Sequence, residues 1–355
     1  MAGTTGRMKI VKFLLFPFAA LYSLVMHVRN YLYDIGHKQS VRFDIPVIVV
    51  GNLNVGGSGK TPMVEYLIKL LMRDFKVATL SRGYKRATKG YKFATESDSA
   101  KHIGDEPMQL FRKFGRDIHV AVGEDRVFAI PNILNEFPGT RVILLDDAMQ
   151  HRSVQPKLSI LVTDCAHPFY EDFVLPMGRL REARSGASRS DIVVVTKCSD
   201  SISVDERKLI AESVQRYAGP KPVFFSSIRY GEIRPLGDEK SIRKNVVLVS
   251  GIAKPESLKL FCGANYTILK HFDFGDHHRY TVNDLKAVES YYKSHRGDLS
   301  IITTEKDMVK LVEPELESFV QRLPWFYVPI QHQFIEDGLK FDNLVLAAVT
   351  GGEKN

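Results

Sequence analysis

The stretch that most restricts the fold runs from Val47 to Leu71. Val47-Ile48-Val49-Val50 is an uninterrupted apolar run of strand type, Gly51-Asn52-Leu53-Asn54-Val55-Gly56-Gly57-Ser58-Gly59-Lys60-Thr61 is rich in glycine, and Met63 to Leu71 is compatible with an amphipathic helix. Strand, glycine loop and helix in that order make a P-loop, which commits the chain to a parallel α/β sheet. The residue types fit the chemistry of such a loop. Gly56, Gly57 and Gly59 let backbone N–H groups turn toward phosphate oxygens, the helix N-terminus adds positive potential, Lys60 bridges β- and γ-phosphates, and the Thr61 hydroxyl ligates Mg²⁺. The expected nucleotide contacts are therefore Asn54, Val55, Gly56, Gly57, Ser58, Gly59, Lys60 and Thr61. Asn54 stands where GxxxxGK[ST] has its first glycine, and asparagine tolerates a left-handed φ better than a branched residue does.

A P-loop needs an acid on the metal side. Arg141-Val142-Ile143-Leu144-Leu145-Asp146-Asp147 reads as a buried parallel strand that delivers Asp146 or Asp147 beside the phosphates, in the manner of a Walker B element. Neighbouring strand residues face opposite ways, so one of the two reaches the metal and the other does something else. The segment also separates two classes of P-loop protein. A GTP switch needs a DxxG glycine here, where Asp146-Asp147-Ala148-Met149 has methionine, and Thr196-Lys197-Cys198-Ser199-Asp200 places the acid of a guanine-reading [NT]KxD one residue late. A phosphotransferase needs instead a base for the acceptor hydroxyl, Mg²⁺ ligands and cations over the phosphoryl group. A P-loop GTPase or ATPase switch, or a metallochaperone, is the alternative class, and the chain carries no metal-binding His/Cys tract for the latter.

Composition narrows the partners. The three cysteines, Cys165, Cys198 and Cys262, form no CxxC pair, which argues against a disulfide framework or a cysteine zinc site and fits a reducing compartment. Lys plus Arg total 49 against 41 Asp plus Glu, a net charge of +8 that favours an anionic partner. Tyr84, Tyr91 and Phe93 interleave with basic residues, but no base-reading module is recognisable, so no nucleic-acid partner is expected. No obligate protein partner is evident. An uncharged stretch from Phe13 to Val28 would reach about 24 Å as a helix, short of the ~30 Å hydrocarbon core. With Arg7, Lys9 and Lys12 before it and Arg29 after, residues 1–35 are expected to form a membrane-associated helix in the cytoplasmic headgroup region. Its rivals are a signal peptide, for which no small-residue cleavage site is evident, a single-span anchor with snorkelling flanks, and a buried core helix.

Five further segments are dense in chemical side chains: Ser81-Arg82-Gly83-Tyr84-Lys85-Arg86, Gly104-Asp105-Glu106-Pro107, Asp146-Asp147-Ala148-Met149-Gln150-His151-Arg152, Leu175-Pro176-Met177-Gly178-Arg179-Leu180-Arg181-Glu182 and Phe274-Gly275-Asp276-His277-His278. Together with the glycine loop, their order and spacing resemble the tetraacyldisaccharide 4′-kinase family of Gram-negative bacteria from about residue 10 to at least residue 310. The resemblance implies transfer of the ATP γ-phosphate to the 4′-hydroxyl of tetraacyldisaccharide 1-phosphate, giving lipid IVA at the cytoplasmic face of the inner membrane. It further implies ATP and Mg²⁺ as cofactors, Asp105 as the acceptor-hydroxyl base, Glu106 as a Mg²⁺-side acid, and His277 as the partner that tunes the base. The DDGxQH pattern of the family reads DDAMQH here, with Ala148 for glycine, and a longer basic loop runs from Lys85 to Lys92. On chemical grounds Asp276 orients His277, and desolvation with a hydrogen-bonded histidine moves the couple toward neutral pKa values. Arg82, Arg179 and Arg181, with His151, are the expected substrate-binding residues, set against the usual fate of charge runs as solvated loops.

At 355 residues the chain exceeds the roughly 150 of one domain, so two are expected. Apolar runs near Val47–Val50, Lys76–Leu80, Ile118–Val122, Val142–Leu145, Leu158–Val162, Ile192–Thr196 and Val223–Phe225 alternate with helical patterns, as in a parallel sheet under right-handed crossovers. The expected class is α/β: a P-loop NTPase-like domain over 36–228 with a return of 340–355, a smaller α/β domain over 235–335, and the N-terminal helix. With Lys60 in one domain and His277 in the other, activity would require closure around ATP. Residues 351–355 should form a loose tail.

Overall fold

The computed structural model describes residues 2–351, with side chains for 14–351. The tail residues 352–355 and the side chains of Arg7, Lys9 and Lys12 lie outside the described residues. The chain forms two compact units, neither contiguous in sequence: 1–81, 125–228 and 332–355 make the first, and 82–124 with 229–331 the second. Segment 82–124, which the sequence reading gives to the P-loop domain, thus clusters with the second unit. The reason is apolar packing, since Ala100, Ile103, Met108 and Val122 share one buried cluster with Val309.

In the first unit a parallel sheet runs in the order Val223–Tyr230, Ile192–Thr196, Leu158–Asp164, Val47–Gly51, Val142–Asp146, Val77–Ser81. The three runs Val47–Gly51, Val142–Asp146 and Ile192–Thr196 are buried along their whole length, as strands covered on both faces must be. Each fully buried Val, Ile or Leu contributes roughly 1.5–3 kcal/mol by leaving water. Val50 pairs with Asp146 on one side and Ile160 on the other, so the P-loop strand lies between two neighbours in register. That register sets the glycine loop beside the acids that end Val142–Asp146.

The N-terminal helix spans Ala2–Asp34 with Pro17 inside it. One face docks on the first unit: Ala19 is buried, the Tyr22 hydroxyl donates to Arg181 O at 2.7 Å, Arg29 to Gln150 O at 2.8 Å and Asn30 to Glu182 at 2.9 Å. A second stripe, Leu14, Phe18, Leu21, Val25 and Val28, is exposed at helical spacing. Among the described residues no helix is long and apolar enough to cross a membrane.

The second unit holds a five-stranded sheet ordered Arg234–Pro235, Trp325–Val328, Ser300–Thr304, Asn245–Ser250, Thr267–Asp273, parallel except for its first pair. Thr267–Asp273 escapes a hydropathy reading because it is an edge strand with mostly exposed or half-buried positions. Val247, Val249, Leu285, Leu299, Ile301 and Trp325 lie in the core between this sheet and its helices.

Candidate active site

In the first unit the helix Lys60–Leu71 begins after Gly59, whose φ of 86° is a conformation L side chains rarely adopt. A Cβ there would also come within 3.1 Å of the Thr196 hydroxyl. Thr196 Oγ1 donates to Ser58 O at 2.6 Å, and the Lys197 ammonium donates to Gly57 O. Thr196 and Lys197, the near-match to a guanine-reading motif, are thus engaged with the loop's own carbonyls. Asn54 is not among the described residues with positive φ. Its side chain donates instead to Asp172 at 3.0 Å and its backbone bridges to Leu180, so the asparagine serves a hydrogen bond and not a turn.

Lys60 is held by Asn52 Oδ1 at 3.0 Å and faces Asp147 Oδ1 at 3.5 Å. Asp147 also receives Arg181 Nη1 at 2.8 Å. Burial works against its charge, but Lys60 and Arg181 outweigh it and hold the carboxyl below the usual carboxylate range. The left-handed position after the strand falls on Asp147 itself, with φ 52°, so Ala148 in place of glycine meets no backbone obstacle. Asp146 is buried at the strand end and Thr61 sits in the first turn of the helix. A hydroxyl and a carboxylate are hard oxygen donors of the kind Mg²⁺ takes alongside phosphates, so Thr61 with Asp146 or Asp147 suits that ion, and Asp147 is already engaged by Lys60 and Arg181. Arg179 Nε pairs with Asp172 at 3.0 Å, and its backbone O accepts Val55 N–H at 2.7 Å. His151 sits in the turn after the acids, its N–H donating to Ala148 O at 2.9 Å. Sequence reasoning passed over Asn52 and Gln150. Gln150 donates to Asn52 O and to Glu182, both at 3.0 Å, and its position in the DDAMQH segment was the available signal.

In the second unit Asp105 opens the helix Asp105–Phe114, where the positive end of the helix favours its charge. Gly104 precedes it with φ 99° and lies so near Gly83 that a Cβ would meet Gly83 Cα at 3.1 Å, which seats Asp105 beside the Arg82–Arg86 turn. His277 Nδ1 lies 3.0 Å from Asp105 Oδ2. Both residues belong to one compact unit, so their pairing needs no domain closure, contrary to the expectation that they come from different halves. His277 has φ 60°, a strained backbone for a non-glycine residue, and its ring meets Tyr84 edge-on at 5.4 Å. Burial pushes the Asp105 carboxyl up, but the His277 hydrogen bond, Lys310 and Lys306 prevail and hold it below the usual range. The Asp105 carboxyl thus moves away from neutrality and not toward it, first through the His277 hydrogen bond and then through the two lysines. Asp276 lies 3.8 Å from His277 Nε2, and Glu106 lies 3.4 Å from Lys306. Arg82 is exposed in its turn.

The first unit has the fold and the loop of a P-loop nucleotide-binding protein. A family model described as Tetraacyldisaccharide-1-P 4'-kinase matches residues 11–350, and the chain belongs to that family. It is 41% identical to the tetraacyldisaccharide 4'-kinase of Phocaeicola vulgatus over 336 residues, covering 91% of each chain. It is 40% identical to that of Flavobacterium johnsoniae over 350 residues, covering 96% of this chain and 97% of the relative. Among solved structures, LpxK from Aquifex aeolicus in complex with ATP is similar with a TM-score of 0.73 and 26% identity, covering 96% of this chain and 99% of that one.

Proposed function

We propose that this protein is an ATP- and Mg²⁺-dependent kinase of lipid A biosynthesis that phosphorylates the 4′-hydroxyl of tetraacyldisaccharide 1-phosphate. The observation that carries the reading is the family match over residues 11–350. The residues supply the parts this chemistry needs. Phosphoryl transfer proceeds through a loose transition state, so catalysis is mainly positioning and charge neutralisation. Lys60 neutralises charge on the β- and γ-phosphates, while backbone N–H groups of 54–61 cradle them. Thr61 with Asp146 or Asp147 would hold Mg²⁺, which when bound neutralises phosphate charge. Arg181, now paired with Asp147, is a cation near those acids. Asp105, kept ionised, takes the proton of the acceptor hydroxyl, and His277 orients it. Arg82, Arg179 and His151 are assigned to the anionic sugar substrate.

The N-terminal helix is assigned to the cytoplasmic surface of the inner membrane. Its exposed stripe of Leu14, Phe18, Leu21, Val25 and Val28 suits the headgroup boundary and supports a location beside an acylated substrate. The test is to incubate the purified protein in detergent with γ-labelled ATP, Mg²⁺ and tetraacyldisaccharide 1-phosphate. Label in the lipid is expected; label released only as inorganic phosphate, under conditions that support an authentic lipid kinase, defeats the proposal.

A further inference from the structure

The imidazole of His277 is contacted at both nitrogens by groups of the same compact unit. Nδ1 lies 3.0 Å from Asp105 Oδ2, and Nε2 lies 3.2 Å from the ammonium of Lys306. Lys306 opens the helix Glu305–Leu311 at its second residue, and its ammonium also faces Asp276 Oδ1 at 3.2 Å and Glu106 Oε1 at 3.4 Å. Hydrogen bonds thus join the ammonium to His277 Nε2 and to Asp276, and Glu106 adds an ion pair. An ammonium has no lone pair to offer, so a hydrogen bond to it obliges Nε2 to accept. A neutral imidazole accepting at Nε2 carries its proton at Nδ1. The competing arrangement would have Nε2–H donate to Asp276, but that carboxylate is 3.8 Å away, beyond hydrogen-bond reach, and is already engaged by Lys306. An imidazolium would set a second positive charge against the ammonium.

We propose that Lys306 is a positioning residue for phosphoryl transfer: it caps His277 Nε2, fixes the Nδ1–H tautomer, and so sets the hydrogen bond that orients Asp105. Asp276 then acts on the histidine through Lys306 and not by direct contact. The inference rests on Asp105 being the base of the kinase reading, and it assigns Lys306 a role that neither the glycine loop nor the Asp105–His277 pair requires.

Nitrogen-15 NMR of histidine-labelled full-length protein, with His277 assigned by comparison with His277→Gln, reads the tautomer directly. At neutral pH the wild type is expected to show a protonated Nδ1 and an unprotonated Nε2. Lys306→Met should change that pattern and lower kcat for lipid phosphorylation by roughly 10- to 100-fold, part of what a general base supplies, with KM for ATP little changed. Lys306→Arg, also a donor without an acceptor, should restore both. A wild-type Nε2–H tautomer or imidazolium overturns the proposal even if the variants fail to fold. So does an Nδ1–H pattern that survives in Lys306→Met, or a changed pattern with kcat intact. A wild type that shows Nδ1–H yet phosphorylates no lipid leaves the tautomer standing and defeats the kinase reading instead.

Discussion

Asp105, the proposed base, stays ionised at neutral pH because the His277 hydrogen bond, Lys310 and Lys306 outweigh its burial. Asp105→Asn keeps the shape and removes the proton acceptor, so kcat should fall by about 10²–10⁴-fold while ATP binding stays nearly unchanged; stopped-assay kinetics beside nucleotide titration separate the two. His332 makes a different point. It is buried against Tyr66 and Phe334, neither ring nitrogen has a hydrogen-bond partner, and burial pushes its pKa down to about 4. Unfolding lets it protonate at its ordinary value near 6.5, so between about pH 6.5 and 4 the unfolded chain binds the extra proton and stability falls as pH falls. The loss is on the order of 3 kcal/mol across that window, and urea midpoints measured at pH 7 and pH 5 should converge in His332→Leu. Equal pH dependence in the two proteins would show that His332 does not titrate this way.

The N-terminal helix is the element whose sequence and structure differ most in what they explain. The helix runs from Ala2 to Asp34, close to the 1–35 expected from sequence, but hydropathy gave no sign that Tyr22, Arg29 and Asn30 tie one side of it to Arg181, Gln150 and Glu182. The exposed stripe should therefore be separable from the docking face. Leu21→Glu with Val25→Glu should cut recovery on anionic vesicles by roughly tenfold or more, each lost apolar contact being worth about 1.5–3 kcal/mol, while the fold persists. Co-sedimentation measures it, and undiminished recovery removes the membrane role of the stripe. Elsewhere, strands with continuous apolar runs such as Val47–Gly51 and Val142–Asp146 were legible, because burial on both faces writes itself into composition. Thr267–Asp273 was not, since an edge strand with exposed Lys270 carries no such mark. The glycine loop was legible as chemistry, but not its braces: Thr196 and Lys197 reach it from a strand about 140 positions along the chain. The lysine at His277 Nε2 was likewise hidden, because only folding brings 277 and 306 together.

At the scale of the molecule, the chain leaves and re-enters its two compact units, and this changes which residues belong together. Segment 82–124 was read as part of the P-loop domain, yet it carries Asp105 into the unit of His277 through the packing of Ile103 and Met108 with Val309. The base and its histidine are built as one piece, while Lys60, Thr61, Asp146 and Asp147 are built as another. The net charge of +8, which from composition suited any anionic partner, is spent in part at Lys60, Arg181 and Lys306 on carboxylates beside the proposed chemistry. The central claim is that the protein transfers a phosphoryl group to a sugar hydroxyl. Phosphorus-31 and proton NMR of lipid recovered after incubation of the full-length protein with ATP, Mg²⁺ and tetraacyldisaccharide 1-phosphate tests it most directly. The account predicts one new phosphomonoester, coupled to the 4′ proton, and its absence with Asp105→Asn; ATP consumed while the lipid returns unchanged, or phosphate attached at another position, would contradict it.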